Sequence, residues 1–288
     1  MKKIGFIDHF LDEWHAENYP RWIRESSVGD CYSVAHAWAE TEVAGKRTNA
    51  QWCEAHGVEL VATLDELIER SDYLVVLAPD NPDRHEALVL PALASGKPTY
   101  LDKPLAPNLA TTRRILGAAR DYGTPFFSSS ALRFAGELDE ARAKLAGMSL
   151  EYVATSGGGN FTSYAVHQAE MLVALTGKPA LRVKQCGTVN APLLMVDFGG
   201  GLLATMQVML GAPFRVSAVA DSNQSYHAAQ IQAAFFPRFI EAMLSFFETG
   251  EAPFPSWQSE AVMALLDAAF AGLERKDDWI PVEPVQAT

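Results

Sequence analysis

The chain predicts an α/β fold in two parts, a parallel sheet over the first half and an α/β domain with an open, mostly antiparallel sheet over the second. Across the first 105 residues, short apolar runs alternate with longer helix-patterned stretches, which is how βαβ units appear in sequence. Beyond residue 123, extended runs come at short spacings with turn signals such as Phe198-Gly199-Gly200-Gly201, as in hairpins. The length, 288 residues, corresponds to two domains at roughly 150 residues each. The division is expected at 1–122 and 123–288.

In order, strands are expected at 3–7, 31–38, 73–77 and 99–101, with helices at 49–56, 64–70 and 84–94 between them. Pro91 falls inside the last of these and should bend it, because it removes one backbone donor. Residues 111–122 read as an amphipathic helix closed by Gly123, with a strand at 126–130 to follow. The second half places extended segments at 150–156, 180–190, 193–198, 202–210 and 214–221, around one helix at 165–175. On segment 202–210, Ala204, Met206, Val208 and Leu210 share one face and Leu203, Thr205, Gln207 and Met209 the other. An apolar face studded with polar groups suits a site wall or a subunit interface. Two helices close the chain. Phe236, Phe239, Ile240, Met243, Leu244 and Phe247 form a broad apolar stripe, and Ser256 is placed to cap a helix over 257–275. The tail from Lys276 is expected to be ordered where Trp279 and Ile280 dock.

Composition narrows the function. The net charge of −12 is shared by both halves, with 13 basic and 19 acidic residues in 1–122 and 10 and 16 in 123–288. No basic run exceeds two residues, which argues against nucleic acid and anionic membranes as partners and leaves small molecules and proteins. No apolar stretch approaches about 18 residues, so a soluble, cytoplasmic protein is expected. Cys31, Cys53 and Cys186 are widely spaced and form no Cys-x-x-Cys pair; three buried or half-buried thiols are expected, with no metal framework.

The most informative residues run from Ala78-Pro79-Asp80-Asn81 to His85, then through Gly96-Lys97 to Asp102-Lys103-Pro104. They put a polar loop after one strand and Lys103 at the end of the next. In a doubly wound sheet, the crevice beyond the carboxyl ends of the strands is where ligands bind. In these motifs, and in Arg133 and Gly157-Gly158-Gly159…His167…Glu170, the chain resembles the Gfo/Idh/MocA family of NAD(P)-dependent oxidoreductases. The resemblance implies a Rossmann-like N-terminal domain, NAD or NADP as cofactor, and a small polyol, sugar or related hydroxy compound as substrate. It also implies a C-terminal sheet that joins homodimers or homotetramers. Carried over, Lys103 and His167 handle the substrate hydroxyl proton while hydride passes to nicotinamide. Pro79, Asn81, His85 and Asp102 fall on the cofactor side. Ser163 stands where the family has an Asp, and the adjacent Tyr164 could offer a phenol instead; Glu170 replaces the family's last Asp. A base within reach of the hydroxyl is what this chemistry needs, and both lysine and imidazole can serve.

The first turn differs. A dinucleotide-binding βα turn uses Gly-x-Gly-x-x-Gly so that backbone can approach the pyrophosphate. Here Asp8 falls on the first glycine, Phe10 lies where the loop should be open, and Asp8, Asp12, Glu13 and Glu17 supply four negative charges with no Lys or Arg between Ile4 and Pro20. The second strand lacks the usual terminal ribose-binding acid, Glu40 being the nearest. Three outcomes are open: a rebuilt turn with the cofactor shifted, a catalytically silent homologue that binds a small molecule or partner subunit, or a metal held by Asp8, His9, Asp12 and His15. Without a function, the cluster would be a solvated acidic loop.

Overall fold

The apolar run at the N-terminus forms β1 (Lys2–Asp8), whose last five residues are buried. The structure, a computed structural model, describes residues 1–188, 190–221, 224–232 and 234–287. After β1 come α1 (Trp14–Glu25), β2 (Tyr32–Ala39), α2 (Asn49–His56), β3 (Glu59–Leu60), α3 (Leu64–Arg70), β4 (Tyr73–Val76), α4 (His85–Ala94), β5 (Thr99–Leu101), α5 (Leu109–Tyr122) and β6 (Phe126–Ser128). All six strands are parallel, in the order β3-β2-β1-β4-β5-β6. This is the doubly wound order of a dinucleotide-type sheet, with its switch point between β1 and β4.

Local chemistry explains the ends of these helices. Thr48 and Gln51 form a reciprocal capping box at α2, Asn108 caps α5, and Gly57 and Gly123 close the same two helices in the left-handed conformation at φ 67°. Helix α1, which carries Pro20 in its middle, is not among the elements expected from sequence. It forms because Ala16, Tyr19, Pro20 and Ile23 fall on one buried face. Helix α4 runs through Pro91 without interruption.

The second half contains α6 (Gly136–Lys144), β7 (Leu150–Gly157), α7 (Phe161–Thr176), β8 (Arg182–Gln185), β9 (Leu193–Asp197), β10 (Leu203–Val208), β11 (Arg215–Ala220), β12 (Gln224–Ala228), α8 (Phe235–Thr249), α9 (Ser256–Glu274) and β13 (Trp279–Pro281). Its strands form one sheet, β12-β11-β7-β10-β9-β8-β13, antiparallel except for the β7–β10 pair. The split face of β10 holds as far as Val208: Ala204, Met206 and Val208 are buried, while Leu203 is exposed and Thr205 and Gln207 are half-buried. Leu210, expected on the apolar face, is instead exposed, because the strand ends at Val208 and the chain turns away. The expected segment 180–190 shortens to β8, because Thr188 and Ala191 bond to each other across a turn; Val189 within it lies outside the described residues.

Contacts gather the chain into two units, Met1–Ser129 with Phe239–Phe254, and Ser130–Arg238 with Pro255–Thr288. The change falls after Ser129 rather than at 123 because β6 pairs with β5 and completes the first sheet. Most of α8 also belongs to the first unit. Phe239 packs on Tyr19 and Tyr100, and Phe246 on Phe127. Two smaller expectations are corrected. Ser256 is the first residue of α9 rather than its cap, and Cys31 is exposed, while Cys53 is buried and Cys186 intermediate.

Candidate active site

In the first unit, the site lies where β1, β4 and β5 end side by side. Asp8 closes β1 and is fully buried. Its Oδ1 accepts the backbone N–H of His9 at 2.6 Å and of Ala78 at 3.0 Å, so it bridges the ends of β1 and β4. Burial raises the Asp8 carboxyl well above its ordinary value, against the pull of those backbone donors. Ala78 is held at φ 68°. Its carbonyl lies 3.0 Å from His85 Nε2, and His85 Nδ1 lies 3.2 Å from the Leu105 carbonyl. His85 is fully buried; burial lowers its proton affinity, while the two carbonyls facing its ring nitrogens pull the other way, and it ties the loop after β4 to the turn after β5. Asn81 turns the same loop through its N–H to Ala78 (2.9 Å), and Pro79 beside it is half-buried.

The turn after β5 presents Asp102 and Lys103. Asp102 is buried; its Oδ2 pairs closely with Nδ1 of His15 on α1, and its Oδ1 accepts the Tyr100 hydroxyl at 3.0 Å. Burial alone would raise this carboxyl, but the charge and hydrogen bond of His15, with Lys103 next, outweigh it and hold it well below the usual carboxylate range. The His15 ring stacks on Tyr19 at 5.2 Å. Burial keeps the Tyr19 and Tyr100 phenols protonated by pushing both well above their ordinary value. Lys103 itself is half-buried.

The turn after β1 is not a solvated loop. Glu13 is buried and caps α1, accepting the N–H groups of His15 (2.7 Å) and Ala16. Burial first, then the neighbouring Asp8, raises its carboxyl from 4.5 to about 8. Asp12 and Glu17 both pair with Arg47, and Lys46 reaches the Asp12 carbonyl and lies 4.8 Å over the half-buried Phe10 ring. The missing cations thus arrive from 46–47, a tertiary effect invisible in a local charge count. Asp8, His9, Asp12 and His15 do not converge, since each has a different partner. Among the described residues no group of three or more His, Cys, Asp or Glu is placed to hold a metal. Strand β2 runs to Ala39, one residue further than expected, so an acid does follow it. Glu40 is gripped by Arg84 at 2.5 and 2.9 Å and lies 2.9 Å from His9.

In the second unit, His167 on α7 places Nδ1 2.7 Å from Ser130 Oγ. Its ring packs edge-on against Tyr164 (5.3 Å) and Phe214 (5.7 Å). Tyr164 is exposed, and so is Ser163, whose N–H is taken by the helix cap Asn160 at 2.8 Å. Gly159, at φ 93°, is required here, because a Cβ would come within 2.1 Å of the Tyr164 ring. Glu170, at the family's last Asp, is buried and paired with Arg133 at 2.5 Å, and Arg133 also donates to Gln258. Burial raises Glu170 despite that partner. Sequence reasoning missed Ser130, and missed His15 and Glu13 as individual partners. The sequence signal for His15 and Glu13 was an unusual density of charge between 8 and 17; Ser130 had none.

The strand order and the turn at 102–104 define the class: a Rossmann sheet joined to a second, mixed sheet. Residues 24–129 match GFO_IDH_MocA, an oxidoreductase family with an NAD-binding Rossmann fold. Over 94 residues the chain is 38% identical to an inositol 2-dehydrogenase of Cereibacter sphaeroides, covering 32% of this chain and 27% of that protein. Over 64 residues it is 42% identical to an inositol 2-dehydrogenase of Agrobacterium fabrum, covering 22% and 19%. The matches therefore span about a quarter or less of these relatives' length. The structure of scyllo-inositol dehydrogenase from Lactobacillus casei, with bound NAD(H) and scyllo-inositol, superposes with a TM-score of 0.81 at 12% identity, over 98% of this chain and 99% of that one. A probable dehydrogenase from Thermotoga maritima gives 0.81 at 15%, over 99% and 100%. The likeness to the Gfo/Idh/MocA oxidoreductases is thus carried in sequence by residues 24–129 and in fold by nearly the whole chain.

The family match begins at residue 24, downstream of the turn after β1. A pyrophosphate at that turn would need the free N–H groups at the start of α1, and those of His15 and Ala16 already donate to Glu13. In this conformation the residues of the turn do not fit the group.

Proposed function

We propose that the protein is an oxidoreductase of the Gfo/Idh/MocA type acting on a small polyol, sugar or related hydroxy compound, with NAD or NADP as its cofactor. The observation that carries this reading is the retained Asp102-Lys103-Pro104 turn at the carboxyl end of β5, in a sheet of dinucleotide-binding order. Lys103 and His167 are the proposed proton-handling groups. Asp102, fixed by His15 and Tyr100, orients the turn that carries Lys103, and Ser130 orients the His167 ring. Tyr164, exposed beside His167, is the proposed replacement for the family's missing Asp. Asp8, Phe10, Pro79, Asn81, His85 and Asp102 are assigned to the cofactor side, Asp8, His85 and Asp102 as buried supports of its walls. We assign the protein to the cytoplasm; among the described residues no helix is long and apolar enough to cross a membrane. Assembly as a homodimer or homotetramer through the second sheet is supported by the face bearing Leu203, Met195 and Tyr152, which is not buried.

A second reading, a catalytically silent homologue, is favoured by one observation: Glu13 and Asp8 fill the turn after β1. Titration with NAD+, NADH, NADP+ and NADPH under tryptophan fluorescence separates the two. The oxidoreductase reading expects at least one to bind, and silence from all four at millimolar concentration removes it. With a turned-over polyol in hand, Lys103→Ala should lower kcat by about 10²–10⁴-fold while leaving nucleotide affinity unchanged. Undiminished turnover would take Lys103 out of the mechanism.

A further inference from the structure

We infer that Tyr164 and Phe214 are specificity-determining residues, two aromatic walls beside His167 that select, among polyols, a ring offering a face of C–H bonds. The inference rests on the oxidoreductase reading and deepens it, by assigning residues of the second unit to the choice of substrate.

Three observations support it. The His167 imidazole packs edge-on against both rings, 5.3 Å from Tyr164 at 61° and 5.7 Å from Phe214 at 75°, so a hydroxyl brought to it arrives among aromatic carbon. Both rings are also pinned on main chain. A Cβ on Gly157 would come within 2.2 Å of the Phe214 ring, and one on Gly159 within 2.1 Å of the Tyr164 ring, so each rests on a glycine of the same tripeptide. Phe214 leans further on the buried cluster of Leu132, Met171, Val216 and Ile231, and its carbonyl accepts the Ile231 N–H at 2.7 Å. Tyr164 stands in the first turn of α7, its N–H held by the Asn160 carbonyl at 3.0 Å. Walls fixed in advance lose little freedom on binding. Finally, the surface is open: Tyr164 is 40% exposed and Phe214 half-buried. The face of an aromatic ring is electron-rich and attracts the positive edge of C–H bonds. A polyol ring with equatorial hydroxyls presents its axial C–H bonds on a flat face, whereas an open chain turns hydroxyls to all sides and must freeze its torsions to bind.

The probes are scyllo-inositol, myo-inositol and mannitol, an open chain with as many hydroxyls, oxidised with NAD+ or NADP+ by wild type, Tyr164→Phe, Tyr164→Leu and Phe214→Leu. Wild type should favour the better inositol over mannitol by about tenfold or more in kcat/KM. Each leucine variant should raise KM for that inositol about 3–10-fold and leave KM for mannitol unchanged. Tyr164→Phe, which keeps the ring, should keep the inositol KM whatever its kcat. Tyr164 lies at the surface, so its two variants carry the test if Phe214→Leu fails to fold. Mannitol taken as well as the inositols, or a preference intact in the leucine variants, overturns the walls and leaves the oxidoreductase reading standing. No oxidation of any probe with either cofactor overturns them too, and the nucleotide titration then shows whether the oxidoreductase reading falls with them.

Discussion

Two turns border the same edge of the first sheet, and the chain treats them in opposite ways. The turn after β5 keeps Asp102-Lys103-Pro104 and a half-buried lysine. The turn after β1 keeps the path of a Rossmann crossover and none of its glycines. What differs is who satisfies the exposed backbone. In a glycine turn the start of the helix is left for a phosphate, whereas here Glu13 caps it and Asp8 holds Ala78. The comparison separates two roles that the glycine fingerprint usually joins: the fold needs a crossover and a buried face on α1, and only close approach of a ligand needs the glycines. The two turns are also joined, by His15 to Asp102, and Asp8 ties the end of β1 to the turn after β4 through Ala78.

The largest effect should come from cutting the first joint. Asp102→Ala leaves His15 and Tyr100 buried without their carboxylate, and removing one partner of a buried charged pair typically costs about 3–5 kcal/mol. Chemical denaturation should show that loss. A variant within about 1 kcal/mol of wild type would mean that the two turns stand independently.

Much of this was legible beforehand, and the boundary of legibility is physical. Strands at 73–77 and 99–101 and the helix at 49–56 are local patterns, and the structure holds them within a residue or so. The lysine turn was legible because its residues adjoin in sequence. The turn after β1 was misread as solvated because its cations, Lys46 and Arg47, and its buried partner, Asp102, come from elsewhere in the chain. Helix α1 was missed because its buried face, Ala16, Tyr19, Pro20 and Ile23, shows only in three dimensions. Strand β12 pairs with β11 although its own burial pattern is weak.

A smaller effect should sharpen the contrast in charge. The Glu13 carboxyl is raised from 4.5 to about 8 by burial and by Asp8, with His15 pulling the other way. A carboxyl that holds its proton more tightly when folded contributes stability that is complete below about pH 4.5 and lost as pH rises through about 8. Wild type should therefore lose roughly 2–4 kcal/mol across that window from this group. Glu13→Gln, which cannot ionise, should flatten the profile, leaving a residual slope of the same sign from the raised Asp8. Urea midpoints at several pH values decide it, and parallel profiles would show that Glu13 does not titrate in this range.

The smallest effect lies where the end of β1 meets the turn after β4. Ala78 sits at φ 68° with its N–H held by Asp8 and its methyl buried. Left-handed backbone costs a residue with a Cβ about 1–2 kcal/mol, a cost that glycine escapes. Against that gain stand a lost buried methyl, about 0.8 kcal/mol, and the added freedom of the unfolded chain, about 0.4–1 kcal/mol. These terms nearly cancel, so Ala78→Gly should fall within about 0.5 kcal/mol of wild type. Ala92, equally buried but inside α4, has no strain to relieve, and Ala92→Gly should cost about 1.5–2 kcal/mol. Equal losses at the two positions would mean that Asp8 imposes no strained turn on Ala78, and that the turn after β4 keeps its shape without help from the turn after β1.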